Sequence, residues 1–407
     1  MAFEIIETGV VLAAGGIVGA ALAWIVAKYR ERRAYRDAIA LLVRNADYLL
    51  DMGMVKKALS TYEEILRCVP WLEPGLWCRV KFKQGVCCYS LSRGGQEEVE
   101  DVEDEAYLTR AVAAYEEALK IAARKKDLPD EAAIQKNLGD AYNRLSKFGE
   151  GEKNLTKAID AYEDAMRIYN TEDLALESAE TQKSLGDAHQ HLSRFRDGED
   201  NLTKAIRYYL VSLMLRRPDK YPIVSAETKN DLGRARASLS RYGEDKEKIL
   251  NEAIAAYEEA LRVRTIEDRP AEYAETQNNL GAAYVLFSKV KEREANLKMA
   301  IGAYEDSLRV RTIEDRPAEY AETQNSLGMV RVLLSDVEYE EANLKMAIAA
   351  YEASLRVRTI EGCPDEYAHT QNNLGIAYKN LARIEDGEDN MERSIRAYEE
   401  ALRARSE

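Results

Sequence analysis

One sequence pattern returns along this chain at intervals of 47 residues, and this period restricts the fold more than any other feature. Its two anchors are a tyrosine in an AYE-like segment and a glycine in a Leu-Gly dipeptide, and both series step by 47 residues except for one step of 48. Such a period predicts a solenoid, because one unit cannot bury its own apolar face and needs its neighbours. The tyrosines are Tyr115, Tyr162, Tyr209, Tyr257, Tyr304, Tyr351 and Tyr398, and the glycines are Gly139, Gly186, Gly233, Gly281, Gly328 and Gly375.

The sequence pattern of each unit predicts two helices. In one unit the apolar residues fall at spacings of 7, 4 and 3 residues in a first segment and of 4, 3 and 4 residues in a second segment, which places each set on one helix face. Prolines between the segments end the preceding helices, and no strand pattern competes. The sequence therefore predicts an all-α fold. The residues are Tyr273, Leu280, Tyr284 and Phe287 in the first helix and Leu297, Ile301, Tyr304 and Leu308 in the second.

The recurring glycines indicate close packing of the two helices. Glycine inside a helix costs about 1 kcal/mol relative to alanine, so its return in successive units needs a packing reason. The expected contact surface is the small residue that recurs in the second helix. These small residues are Ala158, Ala205, Ala253, Ala300, Ala347 and Ser394.

The order of residues within a unit resembles the tetratricopeptide repeat. Leu-Gly is followed three residues later by tyrosine, then by alanine, by an aromatic residue four positions after that alanine, and by proline. The first unit keeps the family's spacing at Ala58, Tyr62, Ile65 and Pro70, whereas the later units are longer and resemble the kinesin-light-chain type. The resemblance covers residues 38–407 and implies a right-handed α-solenoid of about eight helix-turn-helix repeats.

The first 37 residues predict one transmembrane helix before the solenoid. Residues 8–27 carry no charge, and a helix of that length spans about 30 Å, the hydrocarbon thickness of a bilayer. Residues 1–7 contain acids and residues 28–37 are basic, so the positive-inside rule predicts a single-pass cell-membrane protein with an extracytoplasmic N-terminus and a cytoplasmic solenoid. A cleavable signal peptide is the alternative, although it requires positive charge before the apolar segment.

Three small residues in this apolar segment suggest helix pairing. Gly15, Gly19 and Ala23 keep the four-residue spacing that lets two membrane helices approach closely. A homodimer held by these residues is one expectation. A glycine-rich segment without a partner is the alternative.

Composition and motifs argue against several functions. The net charge of −14 disfavours nucleic acid as a partner. His189 and His191 lie two residues apart and point to different sides of a helix, and no nucleotide-binding or hydrolase motif occurs, so we expect no enzyme, no cofactor and no metal site. The acidic segments 197–201 and 386–390 lack calcium-loop spacing, and their Asp and Asn residues are expected as helix N-caps.

The resemblance also implies which residues face a binding groove. In the family the first helix of each unit lines the concave side, so positions three residues before and one or four residues after the glycine are expected there. A row of carboxamides suits an extended peptide, because each one offers a donor and an acceptor to a peptide backbone. The alternative is that such asparagines satisfy backbone groups of their own helix. The first position holds Lys136, Lys183, Asn230, Asn278, Asn325 and Asn372, and the next residue is asparagine at Asn137, Asn279 and Asn373.

Two units carry charges on this predicted face. Asp140 follows Lys136 and Asp187 follows Lys183 by one helical turn. Both pairs are assigned to the groove, but the acids neutralise the lysines. This argues against the acidic C-terminal tails that tetratricopeptide co-chaperones bind.

These observations together predict a membrane-tethered cytoplasmic scaffold or adaptor whose partners are proteins, held as extended peptide segments, and the lipid bilayer. A first alternative is a self-assembling structural protein, driven by anchor pairing and by a last unit without a polar capping helix. A second is an envelope-biogenesis regulator similar to anchored tetratricopeptide proteins, although the rubredoxin-like cysteines of those proteins are missing here.

Overall fold

The computed structural model describes residues 32–68, 72–92, 101–125, 128–171 and 174–406. These residues form sixteen α-helices and no strand, which confirms the all-α prediction. The helices are α1 (Arg32–Asp51), α2 (Val55–Cys68), α3 (Pro74–Leu91), α4 (Asp101–Lys125), α5 (Leu128–Leu145), α6 (Gly151–Thr171), α7 (Ala175–Leu192), α8 (Gly198–Arg216), α9 (Pro222–Leu239), α10 (Lys246–Leu261), α11 (Pro270–Phe287), α12 (Arg293–Leu308), α13 (Pro317–Ser335), α14 (Glu340–Leu355), α15 (Pro364–Leu381) and α16 (Gly387–Ser406).

The helices occur in pairs, as the 47-residue period predicts. We call the first helix of a pair the A helix (odd numbers) and the second the B helix (even numbers). The chain divides into two compact units, residues 1–201 and residues 202–407, with the boundary inside α8. In unit 1 each helix from α1 to α6 packs against the next one, and in unit 2 the same holds from α9 to α15. Both units therefore have the consecutive packing of an α-solenoid, while the right-handed superhelix remains a prediction.

The predicted location needs correction. No helix in the described part of the chain is long and apolar enough to cross a bilayer, because these helices carry charged residues along their exposed faces. The prediction of a single-pass cell-membrane protein with a cytoplasmic solenoid is therefore wrong on this finding. Residues 8–27 and the pairing residues Gly15, Gly19 and Ala23 lie outside the described residues. The first described helix begins at Arg32, within the segment 28–37 that was predicted as a basic collar.

In the described residues, six A helices pack closely on their own B helix through a glycine, and the nearest atoms belong to a tyrosine ring. A Cβ atom added at Gly328 would lie 2.6 Å from Cε1 of Tyr351, and one at Gly139 would lie 2.5 Å from Cε1 of Tyr162. The glycine therefore lies under a tyrosine ring of the B helix. The predicted small residue one turn earlier also contacts the glycine in the last pair, where Ser394 Oγ donates to the carbonyl oxygen of Gly375 at 2.8 Å. The ring reaches the glycine because its side chain is long, and Tyr351 is almost fully buried there, at 2% exposure.

The loops from A to B helices are closed by a buried asparagine. Asn296 lies in the first turn of α12, and its Nδ2 donates to the carbonyl oxygen of Lys291 at 2.7 Å. Four residues before it, Glu292 has φ +48°, the left-handed region that most side chains avoid. In the two acidic segments the asparagines Asn201 and Asn390 therefore lie inside the helix and are not N-caps, whereas Asp197 and Asp386 stand directly before the first helical residue. The same bond is made by Asn154, Asn201, Asn343 and Asn390.

The loops from B helices to the next A helices in unit 2 contain a recurring arginine. Arg264, Arg311 and Arg358 each donate from Nη1 to a threonine Oγ1 of the following A helix at 2.9 Å. The threonines are Thr276, Thr323 and Thr370. Arg264 and Arg311 are buried, so these bonds provide their guanidinium groups with acceptors in place of water. They also hold one repeat against the next.

Candidate functional site

The predicted groove residues lie on the A helices, at positions that share one helix face. In α11 this face contains Glu275, Asn278, Asn279 and Ala282, because residues three and four apart are neighbours on a helix surface. The corresponding residues of α13 and α15 repeat this face at intervals of 47 residues. The two units carry different chemistry there and are described separately.

In unit 1 the face is occupied by ion pairs. Lys136 Nζ lies 2.9 Å from Asp140 Oδ2 and also bonds Glu180 of the next A helix, while Lys183 Nζ lies 3.0 Å from Asp187 Oδ2. Burial alone would lower the pKa of Lys136, but the carboxylates of Asp140 and Glu180 raise it above its ordinary value. The lysine stays charged, and its charge is neutralised inside the unit. The ion pairs predicted from the sequence are therefore confirmed.

The asparagine of unit 1 has a local role. Asn137 Nδ2 donates to the carbonyl oxygen of Ala133, four residues earlier in α5, at 2.8 Å. This is the alternative that the sequence left open, in which an asparagine satisfies its own helix backbone.

In unit 2 asparagines of successive repeats bond to one another. Asn279 Nδ2 donates to Asn230 Oδ1 at 3.1 Å, and Asn373 Nδ2 donates to Asn325 Oδ1 at 3.3 Å. Asn279 and Asn373 thus use their amide groups on the preceding repeat. Asn230 is 1% exposed and donates its own Nδ2 to Glu275 at 3.3 Å, so it is part of the contact between repeats.

The remaining three asparagines form a different set, which we call the Asn row: Asn278, Asn325 and Asn372. Asn325 Oδ1 accepts the bond from Asn373, and Asn278 Oδ1 lies 3.2 Å from Thr323 Oγ1, whose single proton also has the carbonyl oxygen of Glu319 within reach at 2.9 Å. Within the described part of unit 2, no acceptor takes a bond from Nδ2 of any member of the Asn row, although all three side chains are half-buried. The carbonyl oxygen of Asn325 is therefore held in place while the amide NH2 groups remain as donors.

An apolar row runs beside the Asn row, at a position that was expected in the groove but whose apolar residues the sequence prediction did not name. It consists of Ala282, Met329 and Ile376, each one residue after the repeat glycine and each exposed, with 39% for Met329 and 38% for Ile376. In unit 1 the same position holds Asp140 and Asp187. The sequence could have shown this row, because aligning the repeats reveals acids at this position in unit 1 and apolar residues in the later repeats.

On the other side of the Asn row lie carboxylates that are held by arginine. Glu275 Oε2 lies 3.3 Å from Arg264 Nη1, and Glu322 Oε2 lies 3.7 Å from Arg311 Nη1. On α11 and α13 this face therefore carries paired carboxylates, carboxamide donors and exposed apolar side chains, whereas α15 has His369 at the carboxylate position.

In the part of the chain that the structure describes, no group of three or more His, Cys, Asp or Glu side chains is placed to bind a metal ion. His189, one of the histidines weighed as a ligand, is buried, and its Nδ1 lies 2.8 Å from Asn201 Oδ1.

Comparison with known proteins gives similarity of fold. No protein-family profile and no curated protein matches this chain. Among solved structures, the apo form of RapI has a TM-score of 0.54 with 13% identity, and the match covers 99% of this chain and 95% of that one. At this identity the similarity concerns the fold alone.

Two further solved structures match less well. The C-terminal part of a TPR repeat-containing protein from Cytophaga hutchinsonii has a TM-score of 0.46 with 15% identity, covering 77% of this chain and 95% of that one. The apo form of the quorum sensor NprR from B. thuringiensis has a TM-score of 0.45 with 13% identity, covering 100% of both chains. The described part of the chain is an all-helical repeat array.

Proposed function

We propose that this chain is a protein-interaction scaffold that binds extended segments of partner proteins across α11, α13 and α15. The observation that carries this proposal is the Asn row, whose amide groups have no acceptor in the described part of the chain. The proposal assigns the chain no catalytic step.

The Asn row has the chemistry that a peptide backbone requires. A carboxamide NH2 donates to a peptide carbonyl whatever side chain that residue carries. Fixing the oxygen of Asn325 by the bond from Asn373 also fixes the direction of its NH2 group, because the amide is planar. A ligand then loses little entropy in ordering these donors, and this preorganisation favours binding.

The apolar row supplies a second type of contact. Met329 is flexible and polarizable, so it adapts to side chains of different shape, and Ile376 adds exposed apolar area that a ligand would bury. Backbone bonds give affinity and apolar contacts give selectivity, as in other modes of peptide recognition. The proposed ligand is therefore an extended segment with apolar side chains.

Unit 1 offers no equivalent surface at α5 and α7. Lys136 and Lys183 occupy the positions of the Asn row and are paired with acids of the same unit. A ligand there would have to replace these ion pairs. We therefore place the binding face in unit 2.

The proposal can be tested with peptides selected from a random library on the full chain. The dissociation constants of selected peptides would be measured by calorimetry for the full chain and for the triple variant Asn278→Ala, Asn325→Ala, Asn372→Ala. Each lost hydrogen bond contributes about 1 kcal/mol, so we expect binding to weaken by roughly 100-fold.

The matched control is Asn251→Ala, which removes an exposed asparagine of α10 away from the Asn row and should leave the dissociation constant unchanged. The proposal is wrong if no peptide is selected, or if the selected peptides bind the triple variant as tightly as the unaltered chain.

A further inference from the structure

The three arginines that join repeats in unit 2 differ in their ionic partners. Arg264 Nη1 lies 3.3 Å from Glu275 Oε2. Arg311 Nη1 lies 3.7 Å from Glu322 Oε2. Arg358, the third of the series, forms an ion pair with no described residue, and its one side-chain hydrogen bond goes to the threonine of α15 at 2.9 Å. A guanidinium group has five N–H donors, so Arg358 keeps donors that face a carboxylate in the other two repeats.

The missing carboxylate is explained by one difference between the repeats. The residue six positions before the repeat glycine is Glu275 in α11, Glu322 in α13 and His369 in α15. His369 is exposed and makes no hydrogen bond to another described residue. A histidine side chain is neutral or positive, so it does not replace the glutamate as a partner of the arginine.

No neighbouring acid of the described chain takes the place of this glutamate. Glu322 of α13 is paired with Arg311. Asp365 and Glu366, in the first turn of α15, are exposed, and neither forms an ion pair with Arg358. Arg358 is itself only partly buried. Its guanidinium group is therefore accessible to a carboxylate from a bound molecule.

The open position belongs to the face proposed for peptide binding. His369 lies one helical turn before Asn372 of the Asn row, and Ile376 of the apolar row follows one turn after that asparagine. The side chains of Glu275 and Glu322, at the same position of the preceding repeats, are 42% and 57% exposed while they face their arginines. A carboxylate at this position can therefore contact the arginine and still be reached from the groove.

We propose that a segment bound across α11, α13 and α15 places the carboxylate of an Asp or Glu side chain against Arg358, at the position that Glu275 and Glu322 occupy in the preceding repeats. This inference rests on the proposed peptide binding and adds the chemistry of the ligand at one end of the face. Hydrogen bonds between a guanidinium group and a carboxylate are charge-assisted and stronger than neutral ones.

The difference between the repeats also determines where an acid is accepted. At α11 and α13 a ligand carboxylate would meet the chain's own glutamates, and this like-charge contact is unfavourable. Only α15 combines an arginine with no carboxylate of its own. The acidic residue therefore fixes the direction in which the segment lies on the face.

The carboxylate position can be tested on the chain without a peptide. His369→Glu gives α15 the carboxylate that α11 and α13 have, so its midpoint of urea unfolding should lie above that of His369→Gln, which has an uncharged side chain of similar size. The difference should disappear when Arg358→Gln is added to both variants. Equal midpoints of the two variants with Arg358 present would overturn the proposal.

Peptides selected from a random library on the full chain give the binding test. They are synthesised with C-terminal amides, so that only side chains supply carboxylates. We expect the selected peptides to share an acid at one position, and changing that acid to its amide should raise the dissociation constant for the unaltered chain by at least 10-fold. His369→Glu should remove this preference for the acid, because its own carboxylate then faces Arg358.

Lys248→Gln is the matched control. It changes the net charge by the same amount at an exposed position of α10, outside the binding face, and should keep the preference for the acid. The inference is overturned, with peptide binding intact, if peptides that depend on the Asn row bind equally well in acid and amide forms. A requirement for the free C-terminus in place of the acidic side chain would overturn it too. Failure to select any peptide would overturn the proposed function and this inference together.

Discussion

At six positions in the described residues, a glycine of an A helix lies directly under the ring of a tyrosine from the following B helix. The sequence period identified these glycines as packing positions, because glycine in a helix interior is otherwise unfavourable. It did not identify the tyrosine as a partner. The tyrosine and the small residue four residues before it lie on the same helix face, and in the last pair the small residue Ser394 also bonds Gly375.

Replacing such a glycine should destabilise its repeat. We expect Gly328→Ala to lower the free energy of unfolding by about 1–3 kcal/mol, since the new Cβ would overlap the buried ring of Tyr351. Denaturant unfolding followed by circular dichroism measures this change.

The control for this prediction lies in the neighbouring helix. Gly302 in α12 has no atom within 4 Å of an added Cβ, so Gly302→Ala should raise the free energy of unfolding by roughly 0.5–1 kcal/mol. Equal effects of the two substitutions would contradict the close packing.

At the scale of helices and loops, the A-to-B connections are the most uniform elements of the chain. The sequence showed an acidic segment followed by asparagine, and this is typical of an N-cap. It could not show that the helix begins several residues earlier, after a residue with positive φ. The asparagine is then inside the first turn, where its amide group reaches back to the loop carbonyl.

This bond should be needed for the loop to keep its shape. Asn296→Asp keeps the size of the side chain but replaces the NH2 donor by an oxygen, which would face the carbonyl oxygen of Lys291. We expect the free energy of unfolding to fall by about 1–3 kcal/mol, the cost of an unsatisfied buried polar group. Thermal and denaturant unfolding both measure it.

Asn251→Asp is the matched control, because Asn251 is exposed in α10 and makes no such bond. If Asn296→Asp is no more destabilising than this control, the asparagine does not hold the loop.

For the whole molecule, the period predicted the helix pairs because each pair repeats the same packing of glycine, tyrosine and aliphatic residues. The candidate site was predicted only in part. The position of the Asn row followed from the repeat register. Which carboxamides form hydrogen bonds between repeats, however, depends on single differences between units, such as Asn279 against Ser326. The membrane location was inferred from residues 8–27 and finds no support in the described helices.

The buried tyrosines make the stability of the folded state depend on pH in the alkaline range. Burial raises the pKa of Tyr257, Tyr304 and Tyr351 above the ordinary value of 10.0, and it does the same for Tyr162 together with the carboxylate of Asp140. The folded state therefore favours the neutral ring. This stabilisation is complete below pH 10 and is lost as the pH rises above it, because the unfolded chain can then ionise its tyrosines.

We expect the loss of helical circular dichroism above pH 10 to coincide with the tyrosinate absorbance of the buried rings. Tyr351→Phe should move the midpoint of this transition to higher pH, since one ionisable group is removed from the core. Complete ionisation of all tyrosines with the helices intact would contradict this expectation.

The near-identity of residues 265–281 and 312–328 has a consequence for refolding. These stretches differ at a single position, Asn279 against Ser326. During folding α14 can therefore pack on α11 almost as well as on α13, its partner in the native structure. A chain that folds from the denatured state can thus close in a register displaced by one whole period, with the intervening segment extruded as a loop. Escape from that register requires the wrong pair to dissociate, which makes the accuracy of refolding a kinetic property of this duplicated stretch.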